Sequence, residues 1–500
     1  MKFDFEENLK ERLEKPEYNT EISLDEILKK VKYPSTPPSL EDLKKFVHAF
    51  SKETIPMEAV LTKEQMLEDL EQFKFLIKYI YSGYKVLGED FFEQGFNKLS
   101  KFIENNPTAN KEEFSKQINL ALEGLNDNHF SIHPVRGVVL RPLAIQGRCK
   151  TYLSSQFDIT KKENNYYLNG KKILTINNSQ DLNSFIKKVC GVNGQLKLGF
   201  VVRENEKVAG SQINLDIKLE DKTKITINLP QKQFSQLEHH NNGFIKILQN
   251  CIYIRNTACM LHTQNQVDEL QDFCKTIEKN IDDADFVIID SRSNRGGADN
   301  FNSSIHKAVL KMEHFKHRVG LIHLCSRHIW NYNSTIKNDE EYAEYIYNSY
   351  QKSIKSGKPN IREIKVQDQT NSAHNNKTIF VITDERSASS GEEYNNQLTT
   401  FANVVFLNDN SMGMKHFGNL TKYSLNNSKI KLHFANSHFI YGNYMVENKG
   451  FPPDVYFDCE ADEVLTTLEN FINQNTKFKS PSLSHLQKYD KQPFEADITK

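Results

Sequence analysis

Three short runs of uninterrupted apolar residues limit what this 500-residue chain can fold into: Phe286-Val287-Ile288-Ile289, Ile379-Phe380-Val381-Ile382 and Val404-Val405-Phe406-Leu407. A strand with one wet face alternates apolar and polar residues, so runs without alternation are expected where a sheet is covered on both faces. Helical patterns lie between the runs, and the chain past about residue 245 reads as an α/β layer. A polar stretch rich in Asn and Lys, residues 326–376, interrupts that layer. It reads as an insertion, with a helix expected at 340–355.

The segments upstream have other periods. Residues 136–235 carry short alternating runs such as Ile213/Leu215/Ile217/Leu219 and Ile225/Ile227/Leu229, expected as strands. Within them Leu182, Phe185, Ile186 and Val189 fall on one helical stripe. Residues 61–135 read as helical. Thr62-Lys63-Glu64-Gln65 has the capping-box form, and Met66, Leu70, Phe73, Ile77, Tyr81 and Tyr84 come after it at three- and four-residue steps. Asn110 with Glu113 opens a second helix. Residues 1–60, charged and broken by Pro34, Pro37 and Pro38, read as an adaptable N-terminal extension, residues 236–480 as the core, and residues 481–500 as a loose tail.

Charge and composition exclude several classes of function. Lys and Arg number 64 against 65 Asp and Glu, a net charge of -1, so no summed field favours nucleic acid or an anionic membrane. No uncharged apolar run approaches the roughly 18 residues of a membrane span, and Met1 to Glu7 has no apolar stretch behind its charges. A cytoplasmic location is expected. The seven cysteines never stand as C-x-x-C, which argues against a zinc site and a disulfide framework. His314, His317, His323 and His328 lack H-E-x-x-H spacing, and neither phosphate-binding glycine motif occurs. No metal or cofactor is expected.

Four segments could carry chemistry. Asp290 to Gly297 leaves a buried strand and ends in two glycines, whose N–H groups can approach a developing oxyanion; a tight strand-to-helix turn reads equally from the spacing. Thr383 to Glu392 comes after another buried strand and offers Ser387, Ser389 and Ser390 at its end. A hydroxyl there could be a nucleophile, or Ser389 with Glu392 could be a capping box. His129, in Asn126-Asp127-Asn128-His129, is a possible base. Glu447 precedes the Gly450-Phe451-Pro452-Pro453 turn.

Order and placement give these segments a joint meaning. Leu125 to Ser131, Ile289 to Gly297, Asp384 to Glu392 and Glu447 to Asp454 resemble, in sequence order, the four motif blocks of the tail-specific or C-terminal processing serine protease family, the tricorn-core and interphotoreceptor-retinoid-binding-like branch. Tyr81-Ser82-Gly83-Tyr84 resembles that family's helical lead-in. The resemblance implies a helical N-terminal region, a PDZ-like β-rich module and an α/β core of the ClpP/crotonase type. It implies Ser389 as nucleophile, His129 as base and Glu447 as the acid orienting the base. Gly296 or Gly297, with Ser390, matches the oxyanion hole. Asn128 stands where the tricorn branch relays through a serine, and Glu392 matches a supporting carboxylate. The bacterial branch uses a lysine base, and here Met414 occupies its place with Lys415 one residue late. The function implied by the resemblance is that of a serine endopeptidase acting on extended peptides or partly unfolded proteins. A ligand-binding protein on the same scaffold and a Ser-Lys protease using Lys415 are the alternatives.

Overall fold

The computed structural model describes residues 3–18, 36–233, 243–312, 320–323, 336–355, 361–363, 376–440 and 445–490. The three apolar runs are the strands Phe286–Asp290, Thr378–Thr383 and Val404–Asn408, buried throughout the first and last. They lie parallel and adjacent in the middle of a nine-stranded mixed sheet. Cys251–Asn256 joins them on one side, with the antiparallel edge strand Gly243–Ile247 beyond it. Val455–Asp458 and then Ile186–Gly191 extend the parallel run on the other. Side chains alternate between two faces of this sheet. Val287, Ile289, Val381 and Phe406 meet the helices Gln264–Asn280 and Asp299–Leu310, whereas Phe286, Ile288, Phe380 and Val405 meet Val464–Asn475. Burial on both faces is the physical reason the runs do not alternate.

The β-rich stretch divides between two sheets. Ile159–Lys162, Asn165–Leu168, Lys171–Ile176, Gln212–Leu219 and Lys224–Pro230 form a separate antiparallel sheet. Cys149–Ser154, Ile186–Gly191 and Leu196–Asn205 instead continue the core sheet. The helical stripe expected at Leu182–Val189 is corrected here. Leu182–Ser184 makes one tight turn, and Ile186–Gly191 is a strand hydrogen-bonded on both sides, with Ile186 opposite Phe200 and Val189 opposite Tyr456. Two flanking strands satisfy its backbone, which outweighs an accidental three- and four-residue spacing.

The helices of residues 61–135 cover a second sheet, formed by Phe417–Ser424, Lys431–Ile440, Ser131–His133, Gly320–His323 and Ile361–Glu363. Thr62 and Gln65 make the reciprocal capping box of Lys63–Tyr79, and Asn110 caps Lys111–Ala121 through the Glu113 N–H. The helix expected at 340–355 is Asp339–Lys355, and its Tyr342, Ala343 and Ile346 are buried in this same core. Residues 326–335, 356–360 and 364–375 of the expected insertion lie outside the described residues, as do His314, His317 and His328.

Both termini depart from the expectation of adaptable ends. Asp4 caps the helix Phe5–Glu14, and Phe3 donates its N–H to the Asn475 carbonyl. Arg12 is fully buried. Its Nε and Nη2 reach the two oxygens of Asp454 at 3.0 and 2.6 Å, and it also donates to the carbonyls of Thr399, Phe401 and Val404. Tyr18 comes next, its hydroxyl 2.7 Å from the Pro452 carbonyl. A guanidinium satisfied by five acceptors explains why a charged segment docks rather than frays. At the other end Leu483 and Leu486 are buried, so the chain stays packed to the turn Ser484–Asp490, with 491–500 outside the described residues. Arg12→Met leaves Asp454 buried without its counter-charge and is expected to cost about 3–5 kcal/mol. Thermal and urea unfolding measure it, and an unchanged midpoint would show that this helix is not docked.

Candidate functional site

The core strands deliver their loops to one edge of the sheet, and side-chain hydrogen bonds lock those loops together. Asp384, at the end of Thr378–Thr383, accepts from the Ser293 N–H at 2.8 Å and from the N–H groups of Arg386 and Ser387. Ser387 donates its hydroxyl to the Ser291 carbonyl, and Ala388 donates its N–H to the Asn294 carbonyl. The two segments expected to hold the oxyanion donors and the nucleophile are thus stitched along their length.

Of the three serines, only Ser389 faces the imidazole. Ser387 is buried in the Asp384 and Ser291 contacts, and Ser390 Oγ donates to Gly297 O and Asp299 Oδ1. Ser389 is partly exposed, its φ is +54°, and its Oγ lies 3.3 Å from His129 Nε2. A serine in the left-handed region is uncommon and is held there by its surroundings. The capping-box reading is corrected: the Ser389 side chain caps nothing, and the Glu392 carboxylate instead accepts the Ser389 N–H at 3.0 Å. The same carboxylate accepts from Ser411 Oγ, Gly413 N–H and Met414 N–H. Glu392 is fully occupied as a bracket between the Ser389 turn and the 411–414 loop.

Gly296 is required by close approach. A Cβ on it would fall 2.7 Å from Ser390 N and 2.8 Å from both Ala388 O and Ser389 Cβ, at a φ of +91°. Its N–H is taken by Asn294 Oδ1 at 2.8 Å, so between the two glycines Gly297 is the one with a free donor. Among the described residues no protein acceptor takes the N–H of Gly297 or of Ser390.

His129 lies in an Asp127 turn, in which Asp127 Oδ1 accepts the N–H groups of His129 and Phe130 and Oδ2 accepts the Tyr81 hydroxyl at 2.7 Å. Glu447 does not bond the imidazole. Its oxygens accept the N–H groups of Asn128 and His416, at 2.9 and 3.2 Å. Donor atoms of Asp127, His129 and Glu447 nevertheless lie within 4.8 Å of one another, and His129 Nδ1 is buried without a partner. That spacing could suit a cation, although all four carboxylate oxygens already accept protein donors. Asn128, which stands where the tricorn branch relays through a serine, donates its amide to the Gly413 carbonyl, and only its backbone meets Glu447. Lys415, the alternative base, is buried in ion pairs with Glu393 and Asp299, contacts that favour the charged amine over a proton acceptor.

Burial dominates the electrostatics. It pulls His129 down to about 3, with His433, Arg141 and Lys415 adding to the effect. It raises Asp127 to about 6 against the donors that oppose it, and it raises Glu447 well above the usual carboxylate range, with Asp127 as the next cause. Sequence reasoning does not single out Asp127, Tyr81 and His416 for this site. A signal is present for Asp127 alone, a carboxylate two residues before the histidine in a turn-forming run.

Residues 250–457 match the family model described as Peptidase family S41. No curated protein matches the sequence. Among solved structures the chain is similar to mature CPAF complexed with lactacystin, at 13% identity over 82% of this chain and 96% of that one with a TM-score of 0.44. It is similar to the photosystem II D1 C-terminal processing protease, at 14% identity over 84% and 99% with a TM-score of 0.36. Similarity to the tricorn protease is 12% over 85% of this chain and 36% of that one, with a TM-score of 0.35.

The carboxyl pair makes stability depend on pH. With Asp127 raised to about 6, its contribution is complete below the ordinary Asp value near 4 and is lost as pH rises through about 6. Asp127→Asn removes that loss. Relative to wild type, the variant should gain roughly 2–3 kcal/mol between pH 4 and 7.5. Urea unfolding of both proteins at the two pH values tests this, and a difference independent of pH would refute it.

Proposed function

We propose that this chain, whose residues 250–457 match the model of peptidase family S41, is a serine-type peptidase that cleaves extended peptides or partly unfolded proteins internally, with Ser389 as nucleophile and His129 as base. The observation that carries this reading is the 3.3 Å approach of His129 Nε2 to Ser389 Oγ across 260 positions of sequence. An imidazole pulled down by burial is neutral near pH 7 and can accept a proton.

Ser389 Oγ bonds the substrate carbonyl carbon as Nε2 takes its proton, and the oxygen that becomes negative is received by the N–H groups of Gly297 and Ser390. The imidazolium returns the proton to the departing amine, the C–N bond breaks, and an acyl-enzyme is left. Water then attacks as His129 takes its proton, and the imidazolium returns that proton to Ser389 Oγ as the acyl C–O bond breaks, freeing the new carboxyl group. Glu447, whose carboxyl burial raises, lies beside the imidazole and becomes easier to ionise as the imidazolium forms, held in place by the Asn128 and His416 amides. Glu392 moves no proton and fixes the nucleophile's backbone.

We read the core as the ClpP/crotonase type and strands within 136–235 as PDZ-like, between a helical region at 61–135 that supplies the base and a core that supplies the serine. Fluorophosphonate labelling tests the assignment. Wild type should label, Ser389→Ala should not, and His129→Ala should slow labelling by about a thousand-fold or more. Equal labelling of wild type and Ser389→Ala would reject the nucleophile. Gly296→Ala, which forces a methyl into the Ser389 turn, should abolish labelling while circular dichroism shows a folded chain.

A further inference from the structure

We propose that the sheet face running away from His129 binds an acidic segment of the peptide substrate, whose carboxylates meet Lys422, Lys431 and Arg141. The inference rests on the peptidase reading and names the substrate's chemistry.

Strand register places the cations. Lys422 pairs with His433, which pairs with Ser131, and Lys431 pairs with His133. Cross-strand partners point to the same side, as do residues two apart on one strand. Lys422, Lys431, His133 and His433 therefore share one face, and its strand Ser131–His133 begins two residues after His129. Arg141 closes the gap, donating to the Asn128 carbonyl at 3.0 Å.

Among the described residues none of these groups has a carboxylate within ion-pair distance. The nearest acid influencing Arg141 is the buried Asp127. Burial lowers His133 to about 4 and His433 to about 3, and the charges adding to it are all cationic: Lys422, Lys431 and Arg141. Further along the rim, Arg148 and Arg295 bear on Arg141 with the same sign, and Arg295 is exposed directly before Gly296. In a chain of net charge -1 this is a local excess of positive charge beside the reacting atoms. Like charges gathered without counter-ions repel, and an anion laid among them relieves that repulsion.

The apolar neighbours favour a peptide over a nucleic acid. Leu420 is exposed two residues from Lys422 on the same face, and exposed Val139 precedes Leu140, which pairs with Ile132. No aromatic is among the exposed large apolar side chains of the described residues, so a platform for stacked bases is missing there.

Binding separates this inference from the catalytic one. The full-length Ser389→Ala chain is titrated by fluorescence anisotropy with a labelled Glu/Leu 12-mer, its Gln/Leu counterpart, and an oligouridylate of equal charge. The Glu peptide should bind about ten-fold tighter than the Gln peptide, and its affinity should fall as salt rises from about 0.05 to 0.3 M. Lys422→Gln with Lys431→Gln should weaken it about 3- to 10-fold without affecting the Gln peptide. Equal binding of the two peptides, indifference to salt and to the double substitution, or equally tight capture of the oligouridylate would each overturn the proposal. Ser389-dependent cleavage by wild type of a neutral unfolded protein, with no acidic preference, would defeat this inference and leave the peptidase reading standing. Acidic-peptide binding with no Ser389-dependent cleavage of any peptide would uphold the surface and defeat that reading.

Discussion

The Glu392 carboxylate is the constraint on which the rest of the site depends. Taken out of water, it must collect donors or lose its charge. It collects four, from Ser389, Ser411, Gly413 and Met414, and so fixes the serine turn against a loop twenty residues later. That loop then carries the constraint onward, because the Gly413 carbonyl receives both the Asn128 amide and the Asn448 N–H. The segments bearing His129 and Glu447 are positioned by the same bracket that positions Ser389. One buried charge thereby sets three chain segments whose approach has no local cause.

A second constraint is electrostatic. Asp127 and Glu447 share a dry region with an imidazole whose Nδ1 has no protein partner. Two carboxyls so placed resist ionising together, and the neutral imidazole resists protonation. The cluster's charge is therefore set by all three groups and by Tyr81, which donates to Asp127. A proton moved onto His129 would make its neighbours easier to ionise, so charge separation during proton transfer is offset inside the cluster.

The features legible in the sequence are those with a local cause. The apolar runs, the Thr62 and Asn110 caps and the 340–355 helix are written in residues within a few positions of one another. Ser389 is distinguishable from Ser387 and Ser390 only by family register, since all three sit in one turn and their partners, Ser291, Gly297 and His129, lie elsewhere in the chain. The Ile186 strand stays hidden because its identity comes from Phe200 and Tyr456 on either side. Gly296 and Gly297 are equivalent as letters and become distinct once Asn294 takes one of their N–H groups. Arg12 stands in a charged stretch that looks like solvated surface, and nothing within ten residues announces Asp454.

That arginine bears on how the protein is made. Its acceptors lie 387 to 442 positions downstream, so until those residues are made the helix Phe5–Glu14 has nowhere to seat its guanidinium. Contacts of such long separation form late. A ribosome that stalls before Asp454 releases a chain with the serine and histidine already translated and the seat for Arg12 incomplete. Closure of the first segment onto the Thr399 to Asp454 stretch thus reports that translation has passed Asp454.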